Sequence, residues 1–367
     1  MKLSIYPFAI LFLLFASCSG DDDVFDPRIQ NPGNGNGACS FGGDWLIPRS
    51  NVFDGGPGCD GIPSLDNARF ADQLSINFLT ENSLLLAADD GLGKVKLYPH
   101  NILDWHEIIN DEVDNQALAI VYCPLTGTGI GWDRTFGGET TSFGVSGLLY
   151  NTNIIPYDRK TGSNWSQQRM ECVNGERAGE TPATTNLVEV RWKDVSELFP
   201  NATVVSEQTG LSRNYTAYPY GDYRTNDNSI IFPIDTPDDR LPNKERVMGV
   251  IIDGEAKAYR FGSFSPNGWS LINDTFAGRE LLVVGSQNPE TMAVFDRELP
   301  DGTLLDLRLI DTDNTEFLTD QEGNVWDIFG RHLRGPRFGQ RLNTPTAMMG
   351  YWFSWGTFYP GLEVFGE

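Results

Sequence analysis

The chain is patterned as many short apolar runs, each bounded by glycine, asparagine or aspartate. Runs of roughly four to eight residues that are rich in β-branched side chains and end at turn residues are typical of β-strands. The clearest are Lys94–Tyr98, Ala117–Tyr122, Val247–Ile252, Leu281–Val284 and Leu304–Ile310. The pattern therefore predicts a β-rich fold.

Helical periodicity is confined to three short segments, Asn67–Gln73, Asp104–Asn110 and Trp192–Phe199. In the second segment, Asp104 can cap the first turn, with Glu107 three residues later in capping-box spacing. We therefore expect an α+β chain with few short helices, in which strands supply most of the core.

An internal repeat with a spacing of 161 to 163 residues divides the chain. The matched segments are Gly93–Tyr98 with Gly254–Tyr259, Ile109–Asp111 with Ile272–Asp274, and Trp132–Arg134 with Phe295–Arg297. We predict two pseudo-repeated β lobes packed into one compact unit. The first spans residues 45–235, and the degenerate second copy with its aromatic C-terminal segment spans 236–367. The alternative is chance similarity between strand–turn–strand segments.

The shared residues of the two copies are best interpreted as structural. We expect the asparagine and aspartate of Ile-Asn-Asp to lie in turns, and the arginine of Asp-Arg to form a salt bridge.

The first residues have the pattern of an export signal. Lys2 precedes an apolar run from Ile5 to Phe15, which is shorter than the about 20 residues needed to span a bilayer. Phe15-Ala16-Ser17-Cys18 follows and resembles the end of a bacterial lipoprotein signal. We predict that residues 1–17 are a signal peptide and that Cys18 is lipidated. The chain would then contact the membrane through the lipid anchor only.

Residues 18–44 are expected to form the lipidated N-terminus and a flexible tether, because Asn31–Gly37 contains only asparagine, proline and glycine. The acidic run Ser19–Asp23 resembles a surface-export signal of bacterial lipoproteins, and a solvated linker explains it equally well. We predict a protein that is lipid-anchored to the bacterial outer membrane, on its periplasmic or cell-surface face.

Charge narrows the choice of partners. The net charge is −23 and the pI is near 4.4, which argues against nucleic-acid binding because that requires a basic surface. An acidic surface favours solubility or contact with cations.

Four cysteines remain once Cys18 is assigned to the lipid. Cys39 and Cys59 are near neighbours in one loop-rich segment, so we predict a disulfide between them in an oxidising compartment. Cys123 and Cys172 would pair only by elimination, and the sequence does not choose among the three connectivities that four cysteines allow.

Comparison of the two copies indicates a candidate site in the first lobe. An offset of 163 residues places Trp269 at the position of His106 and Ser286 at that of Cys123. His106 and Cys123 are therefore specific to the first lobe, and Glu107 completes the candidate set.

At the start of a capped turn, His106 would lie at the positive end of the helix dipole, which favours neutral imidazole. Imidazole and thiolate together suit copper or zinc, and equally suit a cysteine nucleophile with a histidine base. Candidates for further ligands are His100, Asp133, Met348 and Met349. The alternative is that His106 is a hydrogen-bonded packing residue and Cys123 an inert buried one.

Six motifs occur in order along the chain: Gly55–Leu65, Asp104–Asp111, Tyr122–Gly127, Phe143–Asn151, Tyr157–Trp165 and Tyr351–Pro360. Together they resemble an exported bacterial and archaeal family called domain of unknown function 3179, from roughly residue 45 to the C-terminus. The family pattern has a second cysteine where this chain has Thr126, which weakens any function that needs a Cys-x-x-Cys pair. It has a basic residue where this chain has Cys59, which supports the Cys39–Cys59 disulfide. The resemblance implies no established activity.

Two functions remain open. The first is an exported lipoprotein with a Cys123–His106 site that binds a metal, copper first, or works through its thiol. The alternative is a non-catalytic surface protein that contacts glycan or protein through aromatic residues. The candidates for that surface are Trp269, Trp352 and Trp355. A hydrolase using Ser146 is disfavoured, because Leu148 stands where a Gly-x-Ser-x-Gly motif needs its second glycine.

Overall fold

The structure is a computed structural model that describes residue 39 and residues 42–91, 93–310 and 316–367. The predicted signal peptide, Cys18 and most of the predicted tether lie outside the described residues. Of the helices in the described ranges, none is long and apolar enough to cross a membrane.

The first half of the described chain consists mainly of strands. They are β1 (Val52–Asp54), β2 (Leu65–Asp66), β3 (Phe70–Asp72), β4 (Leu84–Asp89), β5 (Val95–Pro99), β6 (Ile108–Val113), β7 (Gln116–Cys123), β8 (Thr128–Asp133), β9 (Thr135–Phe136), β10 (Glu139–Thr140), β11 (Phe143–Tyr150), β12 (Asn153–Asp158), β13 (Asn164–Ser166), β14 (Glu171–Asn174), β15 (Thr184–Thr185), β16 (Val188–Arg191) and β17 (Thr203–Val205). Two helices, α1 (His100–His106) and α2 (Trp192–Leu198), and two 3-10 turns, Arg49–Asn51 and Gln73–Ser75, complete this half.

The second half contains β18 (Arg246–Ile252), β19 (Glu255–Arg260), β20 (Ser270–Phe276), β21 (Arg279–Ser286), β22 (Thr291–Asp296), β23 (Arg308–Leu309), β24 (Leu318–Thr319), β25 (Val325–Trp326), β26 (His332–Arg334), β27 (Thr346–Tyr351) and β28 (Glu363–Val364). A 3-10 turn, Phe261–Ser263, follows β19, and the helix α3 (Trp352–Phe358) follows β27. The prediction of a β-rich chain with few short helices is confirmed, because strands make up 40% and helices 9% of the described residues.

One sheet in each half has the same strand order. It is β16-β4-β5-β17 in the first half, extended by β3, and β27-β18-β19-β28 in the second. The last strand runs parallel to its neighbour in both cases, β17 to β5 and β28 to β19. A short helix leads into that strand each time, α2 before β17 and α3 before β28. The halves share this topology, while their origin by duplication and the boundaries of the two lobes remain predictions.

The largest hydrophobic cluster draws on both halves of the chain. Val121 and Ile130 of the first half pack in the same cluster as Val247 and Trp352 of the second. Because burial of apolar surface drives folding, each half depends on the other to close this core.

A polar contact recurs in both halves. The Tyr98 hydroxyl donates to the Asp111 carboxylate at 2.7 Å, and the Tyr259 hydroxyl donates to Asp274 at the same distance. A lysine side chain binds each carboxylate at 3.0 and 2.8 Å respectively. The prediction that these aspartates lie in turns is wrong, because strand pairing in β6 and β20 continues through them.

The prediction of a salt bridge for the shared arginine holds in only one half. Arg134 donates to the backbone carbonyls of Thr141 and Asp111, at 2.6 and 2.9 Å. Arg297 instead has its guanidinium 3.6 Å from the Glu280 carboxylate.

Two of the three predicted helices are placed differently by the structure. Asn67–Gln73 contains strand β3 and only the first residue of a 3-10 turn. Asp104–Asn110 is wrong as a helix, because α1 begins at His100 after Pro99 and ends where Glu107 takes φ 57°. Pairing of Ile108 with Val121 then starts strand β6, so the long-range sheet overrides the local helical pattern.

We expect Tyr98→Phe and Tyr259→Phe each to lower the free energy of unfolding by about 1.5–3 kcal/mol, because each removes a hydrogen bond to a charged group. Urea unfolding of the two variants beside the wild type measures this. Equal losses fit a structural role in both halves, whereas an unchanged free energy in both variants contradicts it.

Candidate functional site

Three backbone contacts fix the positions of the predicted site residues. His106 is the last residue of α1, and the Glu107 amide donates to the Leu103 carbonyl at 2.7 Å. The Tyr122 amide donates to the Glu107 carbonyl at 2.8 Å, which ties the helix end to strand β7. Cys123 ends that strand and pairs with Thr128 across a tight turn.

His106 is buried, and both of its ring nitrogens have partners. Nδ1 lies 2.7 Å from the Pro63 carbonyl oxygen and Nε2 lies 2.7 Å from the Tyr215 hydroxyl. Because a carbonyl only accepts, Nδ1 donates and Nε2 accepts from the tyrosine. Burial lowers the pKa of His106 to about 4.

His106 is neutral as expected, but a helix N-terminus is not the reason. His106 lies in the last turn of α1, where the helix dipole favours the cation. Burial outweighs that effect and keeps the imidazole uncharged at neutral pH.

Cys123 is a buried thiol. Its sulfur lies 3.7 Å from the Thr152 carbonyl oxygen, and burial raises its pKa to about 11. Cys172 is also free and buried, with a pKa raised to about 12 by burial. The Cys123–Cys172 pairing by elimination is therefore not formed, whereas Cys39 and Cys59 are joined by a disulfide with their Cα atoms 6.0 Å apart.

Glu107 is the most unusual of the three candidates. Glu107 is only 5% exposed. Its backbone adopts φ 57°, a left-handed conformation that is uncommon for glutamate. Burial alone raises the pKa of its carboxyl to about 8. Glu107 is also one of the groups that raise the pKa of Cys123, so these two side chains share one environment.

The Glu107 carboxyl faces a small cavity of about 30 Å³, which has room for about one water molecule. Tyr220 is the other residue with a polar side chain in the lining. The apolar lining includes Ile62, Leu125, Val145, Ile154 and Phe232.

Residues 206–245, here called the cover segment, contain neither strand nor helix and fold over the Cys123 turn. The Tyr223 hydroxyl donates to the Leu125 carbonyl at 2.8 Å. The Arg224 guanidinium reaches the Asp104 carboxylate at 2.5 Å and lies 3.9 Å from the centre of the Tyr218 ring. A segment this long without regular structure is typical of functional loops.

Asp104 does not cap a helix, as the sequence pattern had suggested. It lies inside α1, its side chain is buried, and Arg224 is its partner. Burial raises the pKa of Asp104 to about 6, although Arg224 opposes that shift.

Lys244 is a site residue that sequence reasoning missed. Its Nζ lies 3.1 Å from the centre of the Tyr223 ring and 4.9 Å from that of Phe353. The nitrogen is shielded from solvent and has no hydrogen-bond partner among the residues described. Burial lowers its pKa to about 7, with Asp227 and the Cys123 thiol opposing that shift. The sequence feature that could have pointed to this segment is the group of closely spaced tyrosines from Tyr215 to Tyr223, about 20 residues before Lys244.

The Cys123 turn rests on a buried polar network centred on Gln167. Its amide nitrogen donates to the carbonyls of Val121 and Thr128 at 2.9 and 3.1 Å. Its amide oxygen accepts from the Thr128 hydroxyl at 2.6 Å and from Asn153 at 2.7 Å. Asn153 also donates to the Thr126 hydroxyl at 2.9 Å, so Thr126 has a structural role.

The predicted metal ligands are not brought together. His106 and Cys123 have separate hydrogen-bond partners, and the His100 Nε2 lies 3.1 Å from the buried Glu189 carboxylate without forming a hydrogen bond. Across the described ranges, no group of three or more His, Cys, Asp or Glu side chains is arranged to hold a metal ion. The copper, zinc and thiol hypotheses remain predictions.

Most of the aromatic residues assigned to a binding surface are core residues. Trp352 and Trp355 are fully buried, and Trp269 is partly buried against the second-half core. Ser146 is buried, and its hydroxyl donates to the Ile155 carbonyl and accepts from the Leu148 amide.

The chain belongs to the family described as a protein of unknown function, DUF3179, whose model matches residues 59–362. Comparison with curated proteins and with solved structures gives no match.

We expect Glu107→Gln to remove a pH dependence of stability. The folded pKa of about 8 lies above the ordinary value of 4.5, so between these values the unfolded chain binds fewer protons. The wild-type free energy of unfolding therefore falls as pH rises through this window, with a slope of up to about 1.4 kcal/mol per pH unit. Urea unfolding at several pH values measures the slope.

The matched control is Glu176→Gln at an exposed position, which should keep the wild-type slope. If Glu107→Gln keeps the wild-type slope as well, the raised pKa is not that of Glu107 and the prediction is contradicted.

Proposed function

We propose that this chain is an exported, lipid-anchored protein that binds a small uncharged ligand beside Glu107 in its first half. The predicted export signal ending at Cys18 supports the location, which we propose to be the outer membrane, with the protein on its periplasmic or cell-surface side. The ligand-binding role rests on the pocket beneath the cover segment.

The observation that carries the proposal is the buried Glu107 carboxyl. Burying an ionisable group without a charged partner is unfavourable, and a left-handed glutamate adds backbone strain of order 1–3 kcal/mol. A leucine at this position would avoid the first of these penalties. Perturbed and strained residues of this kind concentrate at functional sites, and this one faces a cavity.

The ligand class follows from the charge state of the pocket. With a pKa of about 8, Glu107 is protonated at neutral pH and can donate a hydrogen bond. The remaining walls are largely apolar. A matching ligand is a small molecule with an apolar body and one hydrogen-bond acceptor such as a carbonyl oxygen. Because the cavity has room for only about one water molecule, the cover-segment residues in its lining, Tyr220 and Phe232, must shift to admit such a ligand.

The test uses acetone, butanone and cyclopentanone as probes of rising size. A ligand that binds only the folded state raises the free energy of unfolding by RT ln(1 + [L]/Kd). We expect millimolar ketone to stabilise the wild type and Glu107→Gln, because both side chains can donate, and to lose this effect in Glu107→Leu.

Cyclopentylamine serves as the cationic counterpart and should not stabilise the wild type, because a cation is disfavoured in an apolar pocket. If ketones change the free energy of unfolding equally in the wild type and in Glu107→Leu, they act as co-solvents and not as ligands of this pocket. That result would contradict the proposal.

A second candidate function is thiol chemistry at Cys123, favoured by the Lys244 amine beside the thiol. An ammonium near a thiol promotes the thiolate, which is the reactive form. Burial works in the opposite direction and holds the thiol protonated.

We expect iodoacetamide to modify Cys123 slowly, measured in a Cys172→Ala background at pH 8. A pKa of about 11 against an ordinary value of 9.0 implies about 100-fold less thiolate. A reaction faster than in the urea-unfolded chain, and slowed by Lys244→Met, would instead favour the thiol function.

A further inference from the structure

A second cavity, separate from the Glu107 pocket, lies between the two halves of the chain. Its volume is about 220 Å³, and it is bounded by the β15–β16 segment of the first half and by strands β22 and β27 of the second. On its rim, the Arg341 side chain is 46% exposed and pairs with the buried Asp89 carboxylate.

The lining of this cavity is rich in methionine. Four of the six methionines in the sequence line it: Met248, Met292, Met348 and Met349. Met248 and Met349 are direct cross-strand partners in β18 and β27, so their side chains lie on the same face of the sheet. Met292 packs in the same cluster from strand β22.

We propose that the thioethers of Met248, Met292 and Met349 form a binding site for a soft monovalent metal ion, with Cu(I) as the matching ion. Thioether sulfur selects Cu(I) over harder cations. A methionine side chain has three rotatable bonds, and the open space beside these residues lets three sulfurs turn towards one ion. Met348, also in the lining, is a fourth possible donor.

Packing alone accounts poorly for this arrangement. Methionine is the flexible residue that fills irregular gaps in a core. Here four methionines line about 220 Å³ of space that they leave open. Coordination of a soft ion by the sulfur atoms would explain why these side chains line a cavity.

The surroundings favour a soft ion over a hard one. The charged oxygen donor in the lining is Asp89, and its carboxylate is engaged by Arg341 and by Arg331. Among the described residues, no histidine or cysteine lines the cavity. Zinc, calcium and magnesium therefore lack the ligands that they prefer.

The test uses the whole chain with Ag(I) and Cu(I) as the metal probes. All proteins carry Cys18→Ala, Cys123→Ala and Cys172→Ala, because free thiols bind the same ions. We expect one ion per chain in this background. Binding should be lost when Met248, Met292 and Met349 are all changed to leucine, a swap that conserves volume and is well tolerated in cores.

The matched control is Met170→Leu, which alters a buried methionine in another cluster and should leave binding intact. Glu107→Leu should also leave it intact, which separates this site from the ketone pocket. Binding that survives the triple substitution, or no binding in the thiol-free background, overturns the proposal.

A footprint on the unmutated chain keeps the test decisive if the triple variant does not fold. Peroxide converts accessible methionine to its sulfoxide. We expect Ag(I) to slow this reaction at Met248, Met292 and Met349 while leaving the rate at Met170 unchanged. Equal slowing at all four positions, or none, counts against a thioether site.

Discussion

The Gln167 hydrogen-bond network is the constraint on which the first-half site depends. Its members are fully buried, and each polar partner lost there would leave another unsatisfied, at about 1–3 kcal/mol apiece. The network therefore holds the two ends of the β7–β8 turn, at Val121 and Thr128, in one geometry. Cys123 and Leu125 lie in the chain between these ends. The network therefore also positions the Cys123 thiol and, through Leu125, one wall of the Glu107 pocket.

The cover segment is held down by a second polar contact, between Arg224 and Asp104. Only the Asp104 side chain of this pair is buried; such a pair contributes little net stability, but losing Arg224 would leave the Asp104 carboxylate uncompensated. The pair therefore specifies where the segment docks on α1. Ser286, which the predicted repeat matches to Cys123, ends strand β21 and donates its hydroxyl to the Gly268 carbonyl at 2.9 Å. The two halves share the strand order of one sheet, and the cover segment and the buried Cys123 thiol belong to the first half.

Burial gives the site a consistent charge state. It raises the pKa of Glu107 to about 8 and of Cys123 to about 11, and it lowers the pKa of His106 to about 4 and of Lys244 to about 7. Each shift favours the neutral form, because the charged form loses hydration in the interior. Near neutral pH, the surroundings of the Cys123 turn are polar and mostly uncharged. This favours recognition of an uncharged ligand over recognition of an ion, and it separates this site from the methionine-lined cavity.

The sequence by itself determined the strands, because alternating or continuous apolar runs between turn residues are local signals. It also determined the family, through motifs that lie in order along the chain, and it singled out His106, Cys123 and Glu107 as candidate site residues. The tertiary structure decided what no local pattern contains. Sheet pairing ended α1 at His106, and packing gave its buried ring two hydrogen-bond partners, the Pro63 carbonyl and the Tyr215 hydroxyl. The cover segment brought Lys244 and Arg224 to the Cys123 turn from about 100 residues away. Such contacts are set by packing between distant segments, and so are the pKa values that follow from burial.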